Sequence, residues 1–211
     1  MKTKFFIGLC AFGLMLNIAC ETGTKNEDPV EKAQERTEER IMDDKTAEIL
    51  TETASMNMMN MELSRIAEEK AVTPEVQQFA KDIATEHREI QSELEALAQK
   101  EPVVLPGTMS DDHQDKINSV TDNEGIDFDK EYVDEIKSNY QDKINDFESL
   151  ARETDIPEIR EFALNTLPRL RTQLEKVESI EEQLKDSEKG VLEGDAFDTE
   201  GNSENNAQRD I

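Results

Sequence analysis

Few side chains in this 211-residue sequence could carry out chemistry, and they are its two histidines and two cysteines. A carboxylate-bridged di-iron centre needs Glu-x-x-His, because one helical turn brings both side chains to the same face. The residue three places before His87 is Ala84, and the one three places before His113 is Ser110. No nucleophile elbow, phosphate loop or zinc-binding spacing is present either. We therefore predict a protein that is not an enzyme, with no catalytic residue, no cofactor and no metal site.

His87 stands between Ile83 and Ile90 on an apolar stripe with helical spacing. A histidine in such a place is more often a buried group with a satisfied hydrogen bond than a metal ligand. Glu62 flanks the apolar face of an earlier predicted helix and is the candidate partner.

The N-terminus resembles a bacterial lipoprotein signal. Lys2 and Lys4 precede an apolar run over residues 5–16, which is too short to span about 30 Å of hydrocarbon. Ala19 then precedes Cys20, although Asn17 occupies the place where such signals usually have leucine. We predict a signal peptide over 1–19 and lipidation of Cys20. An ordinary cleaved signal and an uncleaved anchor are the alternatives.

The predicted lipid attaches the chain to a membrane of the cell envelope. Glu21 follows the cysteine, whereas a known inner-membrane retention signal has aspartate there, so we favour the outer membrane, facing the periplasm. After loss of the signal, which contains Cys10, a single cysteine remains and no intrachain disulfide is possible.

Composition excludes one class of partner and indicates a class of fold. The chain has 50 acidic and 24 basic residues and a net charge of −26. Nucleic-acid binding draws on lysine and arginine, so we predict no nucleic-acid partner. The sequence has no tryptophan, few glycines and prolines, and many charged residues, which is typical of helices.

Four long helical patterns and one internal repeat define the predicted fold. The first pattern covers about 43–71. The other three begin at Thr73-Pro74, near Phe128 and at Asp155. Residues 74–80 match residues 157–163, which indicates two helical hairpins of one design. A long connection over 101–127 carries a short helix over 111–121. We predict an all-α, up-down four-helix bundle with a long crossover, which is the ferritin-like plan.

The flanking segments lack this periodicity. We predict a flexible tether over 20–42, the bundle over 43–185 and a disordered acidic tail over 186–211. The first bundle helix also has a second apolar stripe, formed by Ala47, Leu50, Ala54, Met58 and Met61. We expect the crossover helix to cover it. The alternative is a protein partner, or self-association, through Leu50, Ala54, Met58 and Met61.

From about Thr46 to Leu184 the chain resembles the bacterial domain of unknown function 4142 family, whose members are ferritin-like and usually exported. The resemblance rests on short segments that recur in order: Met61-Glu62-Leu63 with Ala67, Phe79-Ala80 with Glu86-His87, Phe128-Asp129 with Tyr132, and Phe162-Ala163 with Leu167-Pro168-Arg169-Leu170.

The resemblance implies a set of inward-facing polar residues. Members of the family tend to place a glutamate on the first helix and a histidine on each of the other three. Here those places hold Glu62, His87, Tyr140 and Gln173. We predict that these four form a buried, neutral polar cluster or possible ligand-binding site, because tyrosine and glutamine both donate and accept hydrogen bonds.

These observations predict an envelope lipoprotein whose non-catalytic helical domain acts as a binding or structural module. The alternative is a metal-binding, degenerate ferritin-like protein of stress protection. Weak chaperoning in the periplasm also stays open, since the sequence does not separate it from the first function.

Overall fold

The structure, a computed structural model, describes residues 28–38 and 42–200, with the side chains of all of these except residues 38 and 188–200. Those residues form helices and connections without a strand, which confirms the all-α prediction. The helices are α1 (Pro29–Glu38), α2 (Asp44–Lys70), α3 (Pro74–Ala98), α4 (Asp111–Thr121), α5 (Gly125–Glu153) and α6 (Pro157–Glu200).

Local signals explain where these helices begin and end. The carboxylate of Asp43 accepts the backbone N–H of Thr46 at 2.9 Å and so caps α2. Pro74 opens α3, where its missing N–H is not needed. The side chain of Thr73 does not cap α3, however; the carboxylate of Asp129 accepts the N–H groups of Val72 and Thr73 instead. A side chain of α5 therefore holds the turn between α2 and α3.

Four helices enclose the main core. α2 packs against α3 and α5, and α6 packs against α5 and α3, so each of the four contacts two of the others. The largest fully buried side chains come from α2, α3 and α5, and they include Met59, Ile83, Phe128, Tyr132 and Phe147. α3 and α6 both start at the prolines that open the two repeated segments.

The prediction of a flexible tether over 20–42 is wrong for residues 29–38, which form α1 and pack against α2. Val30, Ala33 and Thr37 are buried and follow the spacing of one helical face. The Thr37 hydroxyl accepts the N–H of Val104 at 2.9 Å, which joins α1 to the crossover. This short polar segment escaped prediction because its buried side chains, Val30, Ala33 and Thr37, are few and small or medium in size.

The structure also differs from the prediction for 186–211 in part, because α6 continues to Glu200. Residues 186–200 contain three glutamates, which favour a helix, but also two glycines, which disfavour it, so their composition did not predict this extension. Residues 201–211 and the predicted signal lie outside the described residues. Within the described part of the chain, no helix combines the length and apolar character that crossing a membrane requires.

The crossover is fastened to α2 at both ends of α4. Before α4, the N–H of Ser110 donates to the Ser55 hydroxyl at 2.8 Å. After it, the ammonium of Lys70 donates to the Thr121 carbonyl and lies 5.1 Å from the centre of the Phe128 ring. α4 covers the residues predicted for it, and it packs against both α2 and α5.

The packing of α1 leads to a test by hydrogen exchange. In Ala33→Glu, we expect the amides of 29–38 to exchange about tenfold faster or more, because burying a charge costs several kcal/mol and each 1.4 kcal/mol is tenfold. Arg36→Glu introduces the same residue on the exposed face of α1 and should leave exchange unchanged. Equal exchange in both variants would contradict the packing of α1.

Candidate functional site

His87 is buried on α3 and bonded through both ring nitrogens. Its Nδ1 lies 2.8 Å from Asn57 Oδ1 on α2. Its Nε2 lies 3.1 Å from Asn60 Nδ2 on α2 and 3.1 Å from the Tyr140 hydroxyl on α5. The Tyr140 ring also stacks on the imidazole, with centroids 5.7 Å apart. One side chain thus joins three helices.

The neighbours of this cluster assign the tautomer of His87. Asn57 Nδ2 donates to Gln91, so Asn57 Oδ1 is the acceptor that faces the ring and Nδ1 carries the proton. Nε2 is then unprotonated, and its lone pair accepts a hydrogen bond from the Tyr140 hydroxyl or from Asn60 Nδ2. Asn60 Oδ1 in turn accepts from Asn139 Nδ2 at 3.1 Å. Neutral His87 therefore has a partner for each ring nitrogen.

The surroundings of His87 keep it neutral. Burial lowers the pKa of His87 to about 3, and the positive charge of Arg169 acts in the same direction. Burial likewise raises the pKa of Tyr140 well above its usual value. Neither group changes charge near neutral pH, so the cluster acts there through hydrogen bonds alone.

Among the four predicted site residues, a hydrogen bond joins only His87 and Tyr140 in the described structure. His87 and Tyr140 meet, as described above. Glu62 is half exposed and its carboxylate bonds to Arg65 at 2.8 Å, which lowers the pKa of Glu62. Gln173 is buried, but among the described residues its Oε1 has no hydrogen-bond partner. The expected contact between Glu62 and His87 is therefore absent, and the cluster uses asparagines instead.

The missed residues share one face of α2. Asn57, Asn60 and Ser64 follow i, i+3, i+7 spacing, all three are buried, and Ser64 bonds to the Tyr132 hydroxyl at 2.9 Å. This spacing was visible in the sequence as a polar stripe beside Met59 and Leu63. Polar residues on a helix normally face solvent, which is why the stripe gave no reason to place them inside.

A second buried histidine lies where α4 meets α2. His113 Nδ1 is 2.6 Å from the Ser55 hydroxyl, and Nε2 is 3.3 Å from a carboxylate oxygen of Glu52. Burial lowers the pKa of His113, while the charge of Glu52 opposes that shift. Serine, histidine and carboxylate thus form a chain of contacts, in the order that a nucleophile would need.

Ser55 is nevertheless unsuited to attack a substrate. Its side chain is fully buried and its oxygen already accepts the N–H of Ser110. Ser110 in turn caps α4, because its hydroxyl accepts the N–H of His113 at 3.2 Å. The Ser55–His113 pair therefore fastens the start of α4 to α2.

Arg169 connects α6 to α3 across the surface next to His87. Its guanidinium donates to Glu86, to Glu93 at 2.8 Å and to Glu89 at 3.1 Å. Glu86 precedes His87 in the chain, so successive residues of α3 bond to α6 at the surface and to α2 and α5 in the interior.

An open groove of about 910 Å³ lies between α2, α3 and the crossover. Its apolar lining includes Met58, Met61, Ile66, Met109 and Ile117, and Arg65 and Arg88 also line it. Met58 and Met61 are half-buried, whereas Ala47, Leu50 and Ala54 are fully buried. Leu50 and Ala54 are thus unavailable to a partner, and only the later half of the predicted stripe stays accessible.

Comparison with known proteins places this chain in a family. The family model described as "Domain of unknown function (DUF4142)" matches residues 31–180. The chain belongs to this family. No curated protein matches the chain, and no solved structure does.

The DUF4142 match begins inside α1, in agreement with the packing of α1 on α2. The segments that carried the resemblance lie at junctions between helices: Glu86-His87 and Arg169 join α3 to α6 and α2, and Asp129 holds the α2–α3 turn. Among residues 28–38 and 42–200, no three His, Cys, Asp or Glu side chains form a group that could hold a metal ion.

The pKa of His87 predicts a pH-dependent part of stability. In the unfolded chain His87 has its usual pKa of about 6.5 and is protonated below that pH. In the folded protein its pKa is about 3, so it stays neutral down to about pH 3. The free energy of unfolding should therefore fall by about 1.4 kcal/mol per pH unit as pH drops through this window. His87→Gln removes this contribution, so the stability advantage of the natural protein over the variant should shrink toward low pH.

Urea unfolding of both proteins between about pH 6 and about pH 4 gives their free energies of unfolding. The difference between the two free energies isolates His87, because the carboxylates that also titrate in this range are common to both proteins. Lys81→Gln, at an exposed position of α3, should give a curve parallel to that of the natural protein. A constant difference between the natural protein and His87→Gln would show that His87 takes up its proton at the usual pH.

Proposed function

We propose that this DUF4142 protein is an envelope lipoprotein whose ferritin-like four-helix bundle acts as a non-catalytic binding module. The single observation that carries the binding role is the open groove between α2, α3 and the crossover, lined by half-buried methionines. The lining places apolar side chains beside polar and charged ones, and concave sites where such groups converge are the usual places for ligands.

The packing of α2, α3, α5 and α6 supports the bundle. Each contacts two of the others, and the connection that carries α4 is the long one. The two hairpins, α2 with α3 and α5 with α6, have the closest packing, as expected for helices joined by short links.

The buried polar groups support a non-catalytic role. His87 has partners at both ring nitrogens, and its pKa keeps it neutral. Ser55 is fully buried beside His113. A degenerate ferritin-like metal centre would need Glu62 and Gln173 beside His87, but Glu62 pairs with Arg65 on the surface. We therefore favour the binding module over that alternative.

The lipid anchor is supported by sequence alone, since Cys20 lies outside the described residues. The apolar run over 5–16 is followed closely by Ala19-Cys20, and several acyl chains on Cys20 would give a durable membrane anchor. The protein would then be held at the periplasmic face of the outer membrane, with its groove open to ligands in that compartment.

Lipidation is tested by growing cells with an alkyne-tagged fatty acid. We expect label on the natural protein and none on Cys20→Ser, because the thioether forms on that sulfur. Cys10→Ser should keep the label, since Cys10 lies in the predicted signal. Density-gradient fractions should place the labelled protein in the outer membrane. Unlabelled natural protein would contradict the anchor.

Occupation of the groove is tested with Thr108→Cys, at an exposed residue of its lining. We expect a maleimide to label this cysteine more slowly in the envelope than in the purified protein, because a bound ligand or partner shields the groove. Leu164→Cys, exposed on α6 outside the groove, should react equally fast in both. Equal rates for Thr108→Cys in both settings would contradict the binding role.

A further inference from the structure

Three methionines from two parts of the chain line the same groove. Met58 and Met61 come from α2, and Met109 comes from the crossover just before α4. All three are half-buried, so their side chains contact both protein and the open groove.

The helix geometry places these side chains close together. Met58 and Met61 are three residues apart on α2, where Cβ atoms lie about 5–6 Å from each other. Ser55, one turn earlier on the same face, accepts the N–H of Ser110 at 2.8 Å. Met109 precedes Ser110, so this hydrogen bond holds Met109 beside the turn of α2 that carries Met58.

The same helix contains methionines in a different setting. Met56 and Met59 are buried in the apolar core, as are many residues of the other helices. Core packing accounts for these two. It does not account for Met58 and Met61, whose side chains are accessible from an open groove. Met109 packs partly against the core and also lines that groove.

We propose that Met58, Met61 and Met109 bind Cu(I) through their thioether sulfurs. Thioethers are soft, uncharged ligands that select Cu(I) and other soft ions over the hard divalent cations that prefer oxygen. The proposal deepens the proposed function, on which it rests, by naming the class of ligand that the groove takes.

The rest of the chain suits capture of a monovalent cation. The net charge of −26 draws cations toward the protein. Of the carboxylates that line the groove, Glu62 is paired with Arg65, and carboxylate oxygens are hard donors, so the thioether sulfurs are the soft donors of its lining. Binding changes no oxidation state in this scheme, because Cu(I) enters and leaves as Cu(I).

Silver(I), which has the same charge and softness and is inert to redox, is the probe. The protein is purified in detergent as the cell processes it, labelled with ¹³C at its methionine methyl groups, and treated with N-ethylmaleimide to block any free thiol. It is then titrated with silver nitrate in chloride-free buffer. We expect the methyl resonances of Met58, Met61 and Met109 to shift and to saturate at one equivalent.

Two double variants provide the matched comparison. Met58→Leu with Met61→Leu removes two of the sulfurs, and Met56→Leu with Met59→Leu removes two core sulfurs from the same helix. Exchanges between Met and Leu conserve volume, so both proteins should fold. We expect the groove variant to lose at least about tenfold in silver affinity, since even changes around the ligands of a metal site cost about 10–100-fold. The core variant should bind as the natural protein does.

Three results would overturn the proposal: no saturable shift at micromolar silver, shifts confined to methionines other than these three, or equal loss of affinity in the two double variants. Failure of the binding module is detected separately, because slow labelling of Thr108→Cys in the envelope reports any occupant. A shielded groove without silver binding would leave the proposed function intact and assign the groove another ligand.

Discussion

A buried polar network centred on neutral His87 fixes the arrangement of α2, α3 and α5. An unpaired polar group in the core would cost about 1–3 kcal/mol, so the helices keep the register in which His87 meets Asn57, Asn60 and Tyr140. Apolar contacts supply most of the stability, but they are tolerant of small shifts along a helix. Hydrogen bonds with fixed partners do not tolerate such shifts. The network therefore specifies one packing among several that the apolar faces would allow.

The same principle holds the connections in place. Asp129 of α5 binds the N–H groups at the α2–α3 turn, Ser55 binds the start of α4, and Thr37 binds the crossover at Val104. In each case one buried side chain satisfies backbone groups that a connection leaves unpaired. His113 and Ser55, which lie in the order that a nucleophile would need, thus serve to fasten α4 to α2, and both are buried in that role.

The sequence predicts the helices of this protein better than its polar interior. Apolar periodicity and the two opening prolines place α2, α3, α4 and the start of α6 within a residue or two, because burial of a continuous face dominates helix formation. α1 is too short and polar to show that periodicity. In the site, Glu62 was expected beside His87, but two residues along a helix is a rotation of about 200°, so Asn60 and Glu62 face nearly opposite ways. Spacing alone did not decide which of these polar residues would be buried, since that depends on partners from α3 and α5.

The side chains of one six-residue segment of α2, Met56 to Met61, lie in three different environments. Met56 and Met59 fill the core, Asn57 and Asn60 hold His87, and Met58 and Met61 line the groove. α4 is fastened to α2 near Ser55 and near Lys70. Between these two points α2 lines one side of the groove and the crossover lines the other. The contacts that hold the crossover in place therefore also fix the two sides of the groove relative to each other.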